Sequence, residues 1–562
     1  MPDKNTYDAI IVGSGISGGW AAKELCEKGL KVLLLERGRM VEHIKDYPTA
    51  TKDPWEFKHR LTLSPEDKKK FFIQSRHYSI REDNKHFYIN DGENPYQETK
   101  RFDWIRGDIV GGRSLLWARA CYRWSDLDFG SNANDGHGVD WPIRYKDIAP
   151  WYDHVEKFIG VSGNKDGIPH LPDGQFLPPF EMNVVEKHFK QQIETKYNDR
   201  KVIIGRTANL TQPVKGRGQC QARDLCHRGC PFGAYFSTNA STMPAAFATG
   251  NLTVRPHSLV NKVLYDEQKH LPAGRLGKAT GVEIIDTETM KTEEFYARII
   301  FLNASTVATA FILLNSTSAR FPNGLGNGSD QVGRNLMDHH KGLSISAEVE
   351  GFEEWTTFGR RPINSFMPRF RNVTTKEKNF LRGYYVGIGA GRGRRTDAPI
   401  GEELKLASTE PGQWRLNLGP YGECLPYEDN RVTLDHTKKD KWGRPQIVVD
   451  CEFKENEKAM HEDMKVTGSE MMEAVGLKNI KVSGTISFPG NANHEMGTVR
   501  MGHDPKTSVL NKWNQLHEVP NVFVTDGSCM VSSACQNPSI NYMALTARAC
   551  DYAVGEMKKL NL

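Results

Sequence analysis

The sequence predicts a large α/β protein that opens with a Rossmann-like βαβ unit. Three observations near the N-terminus support this prediction. The run AIIV at 9–12 is short, continuous and apolar, which is typical of a buried parallel strand. Gly13, Gly15 and Gly18 follow it in the pattern GxGxxG, and KVLLLE at 31–36 has the composition of a second strand. We therefore expect a strand, a helix and a strand within the first forty residues.

The glycine loop between the first strand and the helix predicts dinucleotide binding. Its residues Gly13, Gly15, Ser17 and Gly18 lie where a helix N-terminus offers free N–H groups and a positive dipole end to a pyrophosphate. Glu36, at the end of the second strand, is placed to accept hydrogen bonds from ribose hydroxyls. An acidic residue there favours FAD or NAD over NADP, and the motif does not choose between those two.

Composition and charge exclude several classes of protein. The 562 residues carry 74 basic and 69 acidic side chains, a net charge of +5 that gives no reason to expect a nucleic-acid partner. No run approaches the roughly 20 apolar residues of a membrane span, and we expect none. The first residues lack the pattern of an export signal. Ten cysteines in a chain of this length do not indicate a secreted disulfide framework.

Further motifs follow the glycine loop along the whole chain. They are RGDIVGGRSLLWAR (106–119), NLTVRPHSLVNKVLYD (251–266), IIFLNASTVATAFILLNS (299–316), VGRNLMDH (332–339), NHEMGTVRMG (493–502), NVFVTDGS (521–528) and QNPSINYMALTARACDYA (536–553). In this order they resemble the glucose–methanol–choline (GMC) oxidoreductases. The resemblance is nearest to the bacterial FAD-dependent sugar dehydrogenase catalytic subunits, and VDWPIRYKDIAPWYDHVEK (139–157) is also similar to that branch.

The resemblance implies two domains, each assembled from separated segments. One is a Rossmann-like FAD-binding domain, and the other is an inserted substrate-binding domain on a mainly antiparallel sheet, so that the chain is α+β overall. The FAD-binding domain would comprise residues 1–45, 105–160, 230–340 and 485–562. The substrate domain, with a cysteine loop, would comprise residues 46–104, 161–229 and 341–484.

The resemblance also implies flavin contacts. The glycine loop and Glu36 would hold the ADP part, Gly112 and Ser114 would lie near the pyrophosphate and isoalloxazine, and Val260 and Ala304 would touch the adenine side. Asp526 would hold the ribityl or phosphate region. Some relatives place a histidine that bonds covalently to the flavin just before the tryptophan of the 106–119 segment. Here that residue is Leu116, so we expect non-covalent FAD.

His494 and Asn537 match the catalytic pair of the family. Oxidising an alcohol needs a base for the hydroxyl proton and an acceptor for the hydride. By resemblance His494 would be the base, Asn537 would donate a hydrogen bond to the substrate oxygen, and flavin N5 would accept the hydride. Without the family, His494 reads as a core histidine and Asn537 as a turn residue before Pro538. His339 and His340 are interpreted as structural.

Cys220, Cys226 and Cys230 are clustered within eleven residues. From spacing alone, inert thiols, a local disulfide, a zinc site completed by His227 or a distant cysteine, and an iron–sulfur cluster remain open. The loop resembles that of the sugar dehydrogenase branch, whose members carry a [3Fe-4S] cluster, which implies one thiolate for each iron. Such a cluster would let reduced flavin pass its electrons to a partner.

The resemblance implies an FAD-dependent sugar dehydrogenase, most like a glucoside 3-dehydrogenase, which converts a glucoside or disaccharide to the 3-keto sugar. A glucose 1-dehydrogenase or polyol dehydrogenase is the alternative within the branch. An oxygen-using oxidase with structural cysteines and a flavin-dependent lyase are the alternatives from other classes. The resemblance further implies a small helper subunit, a cytochrome c or other electron acceptor, and a periplasmic location reached by co-export with a signal-bearing subunit. The cytoplasm is the alternative location.

Overall fold

The computed structural model describes residues 5–270, 276–357 and 359–562. Its strands are β1 (Thr6–Val12), β2 (Val32–Leu35), β3 (Gln97–Glu98), β4 (Val161–Ser162), β5 (Phe176–Leu177), β6 (Ile203–Ile204), β7 (Leu252–Arg255), β8 (Ser258–His270), β9 (Leu276–Asp286), β10 (Thr292–Leu302), β11 (Ser344–Val349), β12 (Ser365–Met367), β13 (Tyr384–Arg394), β14 (Pro411–Gly422), β15 (Arg431–Lys439), β16 (Pro445–Asp450), β17 (Lys478–Ser483) and β18 (Val522–Val524).

The α-helices connect these strands and cover both sheet faces. They are α1 (Ile16–Glu27), α2 (Pro65–Lys70), α3 (Asp126–Phe129), α4 (Ser131–Asp135), α5 (Tyr145–Ile159), α6 (Val184–Lys196), α7 (Thr242–Phe247), α8 (Thr306–Asn315), α9 (Glu402–Ala407), α10 (Glu455–Ala474) and α11 (Ser539–Lys558). None of the helices among the described residues is both long and apolar enough to span a bilayer.

A seven-stranded sheet contains the predicted βαβ unit. Its order is β7-β2-β1-β10-β9-β8, and β18 also pairs with β10. The strands β7, β2, β1, β10 and β18 run parallel to one another. Strand β9 pairs antiparallel with β10 on one side and with β8 on the other. Every residue of β2 is buried, which accounts for its continuous apolar run. The expected strand, helix and strand are all present.

Helix α1 packs between this sheet and the last helix of the chain. Its Ala21, Ala22 and Leu25 are fully buried against β1 and against Ala549 and Ala553 of α11. Small side chains on both helices allow this close approach. Residues from opposite ends of the chain therefore form one core.

A six-stranded sheet of order β17-β11-β14-β13-β12-β6 forms the second large layer. All of its pairings are antiparallel, as expected for the second domain. Helices α6 and α10 cover one face through Phe189, Ile193, Met464 and Met471. Two small sheets, β15-β16-β3 and β4-β5, complete the described strands. The exact domain boundaries stay a prediction.

Candidate active site

One large cavity lies between the parallel sheet, the antiparallel sheet and the loops that join them. Its volume is about 700 Å³, within the range of cofactor and ligand sites. The cavity begins at the glycine loop, passes the His494 region and reaches the three-cysteine loop. All the predicted site residues except Gly18 line it, namely Gly13, Gly15, Ser17, Glu36, Gly112, Ser114, Cys220, Cys226, Cys230, Val260, Ala304, His494, Asp526 and Asn537.

The three glycines of the loop have different surroundings. Gly13 has φ +93°, and a Cβ there would overlap the carbonyl oxygen of Asn303. A Cβ on Gly18 would overlap the carbonyl oxygen of Gly13, so Gly18 serves helix packing and does not face the cavity. A Cβ on Gly15 would meet no protein atom within 4 Å. The open space beside Gly15 lies at the N-terminus of α1, where the first N–H groups receive no side-chain cap.

Glu36, the residue predicted to accept from ribose hydroxyls, accepts hydrogen bonds from the glycine loop. Its Oε2 accepts from the backbone N–H of Ser14 at 3.1 Å and from the Ser14 hydroxyl at 2.5 Å, and Oε1 accepts from Gly38 N–H at 3.0 Å. Burial raises the pKa of Glu36. Because Oε1 accepts a single bond, it retains capacity for a ribose hydroxyl. The side chain both shapes the glycine loop and borders the cavity.

The 106–119 segment continues the cavity wall from the glycine loop. A Cβ on Gly112 would lie 3.2 Å from the Cα of Gly15, so the two backbones approach closely. The Ser114 hydroxyl donates to Gly111 O at 2.6 Å and accepts from Thr238 N–H at 3.0 Å. Leu116 also borders the cavity. A leucine side chain offers no atom that could bond covalently to a flavin.

Asp526 is committed to the protein's own backbone and hydroxyl groups. Oδ2 accepts from Ser305 N–H at 2.9 Å and from the Thr309 hydroxyl at 2.6 Å, while Oδ1 accepts from Ser528 N–H at 3.0 Å and from the Ser528 hydroxyl. Its carboxylate therefore holds the turn after β18 against the start of α8. Its predicted contact with the ribityl or phosphate region stays a prediction.

Five buried polar atoms of cavity-lining residues have no partner among the described residues, and two of them are Asn303 Nδ2 and the Tyr542 hydroxyl. Buried polar groups are normally hydrogen-bonded, so both point to a ligand that is polar at these places. Together with the open space at Gly15, they fit a dinucleotide cofactor laid from the glycine loop toward α11.

His494 stands at the centre of a hydrogen-bonded chain of three side chains. Its Nδ1 lies 2.9 Å from His339 Nδ1, and its Nε2 lies 3.2 Å from Asn537 Nδ2. His339 Nε2 lies 2.8 Å from Ala534 O and 3.2 Å from Ser533 O. The predicted pair therefore meets although 43 residues separate its members. Asn537 is placed there because it directly precedes Pro538, the N-cap of α11.

This chain assigns the tautomer of His494. A carbonyl oxygen only accepts, so His339 Nε2 carries a proton. Burial lowers the pKa of His339 to about 4, so its Nδ1 is an acceptor at neutral pH. His494 Nδ1 must then donate, and its Nε2 is left unprotonated, with an electron pair that accepts from Asn537 Nδ2. Burial and the neighbouring His339 and Lys341 hold the pKa of His494 well below its usual value, which keeps the ring neutral.

Two carboxylates fix the backbone around His494. Asp338 accepts from His494 N–H at 3.0 Å and from Ala492 N–H at 3.1 Å. Burial, with Glu495 nearby, raises the pKa of Asp338 to about 7. Glu495 forms a bidentate ion pair with Arg113, at 2.6 Å and 3.2 Å. The 106–119 segment is thereby tied to the segment that carries His494.

The cysteine loop borders the far end of the cavity. Cys220, Cys226 and Cys230 are half-buried free thiols, and the other seven cysteines are buried and free. Burial raises the pKa of Cys220, and the charge of Arg119 opposes that rise. Across the described residues, no three His, Cys, Asp or Glu side chains are arranged as a metal site. The metal-binding role of the three cysteines stays a prediction.

Sequence reasoning missed three residues at the site. His339, interpreted from sequence as structural, contacts the ring of His494 directly. Lys341 and His77 also border the cavity, with Lys341 Nζ 3.5 Å from His77 Nε2. The run DHHK at 338–341 was the available signal for two of them, because it overlaps the end of the VGRNLMDH motif at 332–339. His77 lies in a polar segment with no pattern to mark it.

The comparison with known families agrees with this geometry. Residues 7–341 and 426–546 match the N-terminal and C-terminal models of the GMC oxidoreductases. The chain belongs to the GMC oxidoreductase family, and it is an FAD-dependent oxidoreductase that acts on CH–OH groups.

Two relatives match nearly end to end. The 2-methyl-1,2-propanediol dehydrogenase of Mycolicibacterium austroafricanum is 29% identical, over 97% of this chain and 94% of that protein. The fructose dehydrogenase large subunit of Gluconobacter japonicus is 24% identical, over 98% of each. The structure of pyridoxine 4-oxidase from Mesorbium loti has a TM-score of 0.60 at 16% identity, covering 98% of this chain and 99% of that one. This last likeness concerns the fold alone.

Proposed function

We propose that this chain is a dehydrogenase that oxidises a hydroxyl group of a sugar or polyol. The observation that carries the proposal is the 3.2 Å contact between His494 Nε2 and Asn537 Nδ2 on the wall of the glycine-loop cavity. A base and a hydrogen-bond donor meet there at one point, which is the arrangement that alcohol oxidation requires. A diol dehydrogenase and a fructose dehydrogenase subunit among the relatives support a polyhydroxy substrate.

Each residue of the pair has a separate task in this proposal. FAD, when bound, would supply the hydride acceptor. His494 would receive the hydroxyl proton on Nε2, the nitrogen that the bond to His339 leaves unprotonated. Asn537 would turn its amide from His494 to the substrate oxygen and stabilise the negative charge that develops on it.

The favoured substrate is a glucoside or disaccharide oxidised at C3 to the 3-keto sugar. This assignment rests on the resemblance of the sequence motifs. Oxidation of glucose at C1, or of an open-chain polyol, is the second candidate, and the diol dehydrogenase among the relatives supports it.

We also propose that Cys220, Cys226 and Cys230 hold a [3Fe-4S] cluster, which would serve to pass electrons to a partner protein. Three half-buried free thiols on the wall of the same cavity support this assignment, as does the cationic Arg119 near Cys220. Binding would require the three sulfurs to converge from their present positions, because they do not form a metal site as they stand.

A small helper subunit and a cytochrome c are the proposed partners, with the periplasm as the proposed location and the cytoplasm as the alternative. A relative described as a large subunit supports a multi-subunit enzyme. Expression with and without neighbouring genes, followed by fractionation, tests both points.

Anaerobic absorption spectroscopy tests the function. Methyl glucoside, glucose, sorbitol and a disaccharide are added in turn to the purified holoprotein. We expect at least one to bleach the flavin bands, and product analysis then identifies the oxidised carbon. If no sugar or polyol reduces the flavin, the proposed function is wrong. If oxygen re-oxidises the reduced flavin rapidly, the protein is an oxidase.

Iron and sulfide analysis of freshly purified, anaerobic protein tests the cluster separately. The expected values are about three irons and four sulfides per chain. Replacing Cys226 with Ser should abolish both while the flavin remains bound. Protein that contains full flavin but no iron would contradict the cluster assignment.

A further inference from the structure

Lys341 places a buried cation in the cavity beside the His494 segment. The residue is only 8% exposed and borders the cavity. Its backbone is anchored on both sides, because its N–H donates to the Ser487 hydroxyl at 3.2 Å and its C=O accepts from Ser487 N–H at 2.8 Å. The lysine is therefore held in place by the fold and does not reach in from a surface loop.

No acidic side chain neutralises this cation within the described part of the chain. Its Nζ lies 3.5 Å from His77 Nε2. Burial lowers the pKa of His77 to about 3, so the imidazole is neutral. Asp338, the acid whose charge acts on Lys341, accepts from two backbone N–H groups instead. Glu495 is paired with Arg113.

Two aromatic rings also lie close to the ammonium group. Nζ lies 4.9 Å from the ring centre of Tyr78 and 5.8 Å from that of Tyr421. Tyr385 stacks on Tyr421 with ring centres 5.0 Å apart. The site therefore combines aromatic faces with a buried cation that pairs with no carboxylate of the described residues. Such a site favours a ligand that has an apolar surface and one anionic group.

The lysine is close to the reacting centre as well. Asn493 Nδ2, one residue before His494, lies 3.2 Å from the same His77 Nε2 that Lys341 contacts. A single imidazole therefore separates the cation from the segment that carries the base. A small molecule with a hydroxyl near one end and an anionic group a few atoms away can reach both.

We propose that Lys341 binds a carboxylate of the substrate, and that the substrate of the proposed dehydrogenase is therefore a sugar acid, an aldonate or a uronate, in place of the neutral glucoside or disaccharide that the motif resemblance favours. The inference rests on the proposed function, because it places the anion in the same cavity as the hydroxyl to be oxidised. It replaces no part of the chemistry at His494 and specifies what is held there.

Matched pairs of compounds test the proposal on the holoprotein. Gluconate is compared with sorbitol, and methyl glucuronide with methyl glucoside, because each pair differs by a carboxylate in place of CH₂OH. We expect flavin reduction, as kcat/KM, to be at least about tenfold faster for the acid of one pair. Lys341→Met should lower that acid-to-neutral ratio at least about tenfold, whereas Lys341→Arg should retain part of it.

A binding measurement separates recognition from turnover. With the flavin reduced beforehand, gluconate and sorbitol are titrated calorimetrically, so that no reaction occurs. Gluconate should bind the wild type more tightly, and Lys341→Met should remove the difference. Lys478→Met is the matched control, because Lys478 is exposed on the surface. The substitution removes the same charge outside the cavity.

Three outcomes would overturn the proposal. The neutral member of each pair could be the better substrate in the wild type. Lys341→Met could slow acid and neutral members equally, which would assign the lysine to the developing alkoxide or the flavin. The acid could also bind the reduced enzyme no more tightly than the neutral compound. If neither these four compounds nor glucose nor a disaccharide reduces the flavin, the proposed function itself fails, and this result is distinguishable from all three.

Discussion

Proton control at His494 depends on single hydrogen bonds. The ring would act as a base only if its cavity-facing nitrogen is unprotonated, and the chain from Ala534 O through His339 imposes that state. A depressed pKa keeps the ring neutral, and it also makes the ring a weaker base in the absence of substrate. The carboxylate of Asp338 holds the backbone and does not touch the ring's nitrogens.

Replacing His494 with Gln tests the base directly. We expect the rate of anaerobic flavin reduction to fall about 10²- to 10⁴-fold, because the proton acceptor is lost. The flavin spectrum and content should be unchanged. His503→Gln is the control, since His503 is exposed and lies in the adjoining segment. A variant at position 494 with the wild-type rate would assign the base elsewhere.

His339→Phe tests the positioning role of the second histidine. Phenylalanine retains a ring of similar shape but cannot accept from His494 Nδ1. We expect kcat to fall about 10- to 100-fold, with a smaller change in KM and a shifted pH profile, because the tautomer is no longer imposed. A structural role would lower stability without altering the pH profile. Equal pH profiles for the two proteins would therefore contradict this role.

At the scale of the element, two glycines at the start of α1 have different surroundings: Gly18 packs against backbone, and Gly15 faces the cavity. Both belong to one sequence motif, and the motif does not say which is which. The surroundings do: Gly18 abuts the carbonyl of Gly13, and Gly15 faces open cavity.

Alanine at the two positions should therefore give different defects. Gly15→Ala should leave the melting temperature of the flavin-free protein near the wild-type value and weaken FAD binding at least about tenfold, since its Cβ enters the cofactor space. Gly18→Ala should weaken FAD binding and also lower the free energy of unfolding by about 1–3 kcal/mol, because its Cβ overlaps backbone. Fluorescence titration with FAD and thermal unfolding measure the two effects. Equal loss of stability in both variants would refute the distinction.

At the scale of the whole molecule, buried and half-buried histidines link the stability of the fold to pH. Burial lowers the pKa to about 3 or about 4 at five of them, His77, His86, His227, His339 and His461. Below about pH 6.5 these histidines bind protons in the unfolded chain but not in the folded chain. Each of them therefore lowers the free energy of unfolding by up to about 1.4 kcal/mol per pH unit as the pH falls. Asp128 and Asp338, with pKa raised to about 7, act in the opposite direction.

Because the histidines whose pKa is lowered outnumber all the carboxyls whose pKa is raised, we expect the holoprotein to melt at a lower temperature near pH 5 than near pH 7. His461→Phe should make this decline in melting temperature shallower, since both ring nitrogens of His461 are buried with no hydrogen-bond partner in the described part of the chain, and phenylalanine fills the same space. Thermal unfolding across this pH range measures both. A melting temperature that rises toward pH 5 would contradict the assignment.

Local patterns were sufficient for much of this fold. The apolar run, the glycine spacing and the terminal Glu36 specify β1, α1 and β2, because a strand and a helix are defined by neighbours only a few residues apart. The motif resemblance extended this to the family and to the pair His494 and Asn537. It also led to an expected cluster at three cysteines, whose sulfurs are not arranged to bind metal.

Only the tertiary structure decided which side chains contact one another at the site. The ring of His494 is bonded to that of His339, 155 residues earlier. Lys341 has no acidic partner among the described residues, because Asp338 and Glu495 are bonded elsewhere. The sequence by itself determined the family, the nucleotide-binding unit and the candidate base, since these follow from short-range pattern. Protonation, burial and unpaired charge depend on which distant side chains come together, and packing alone sets that.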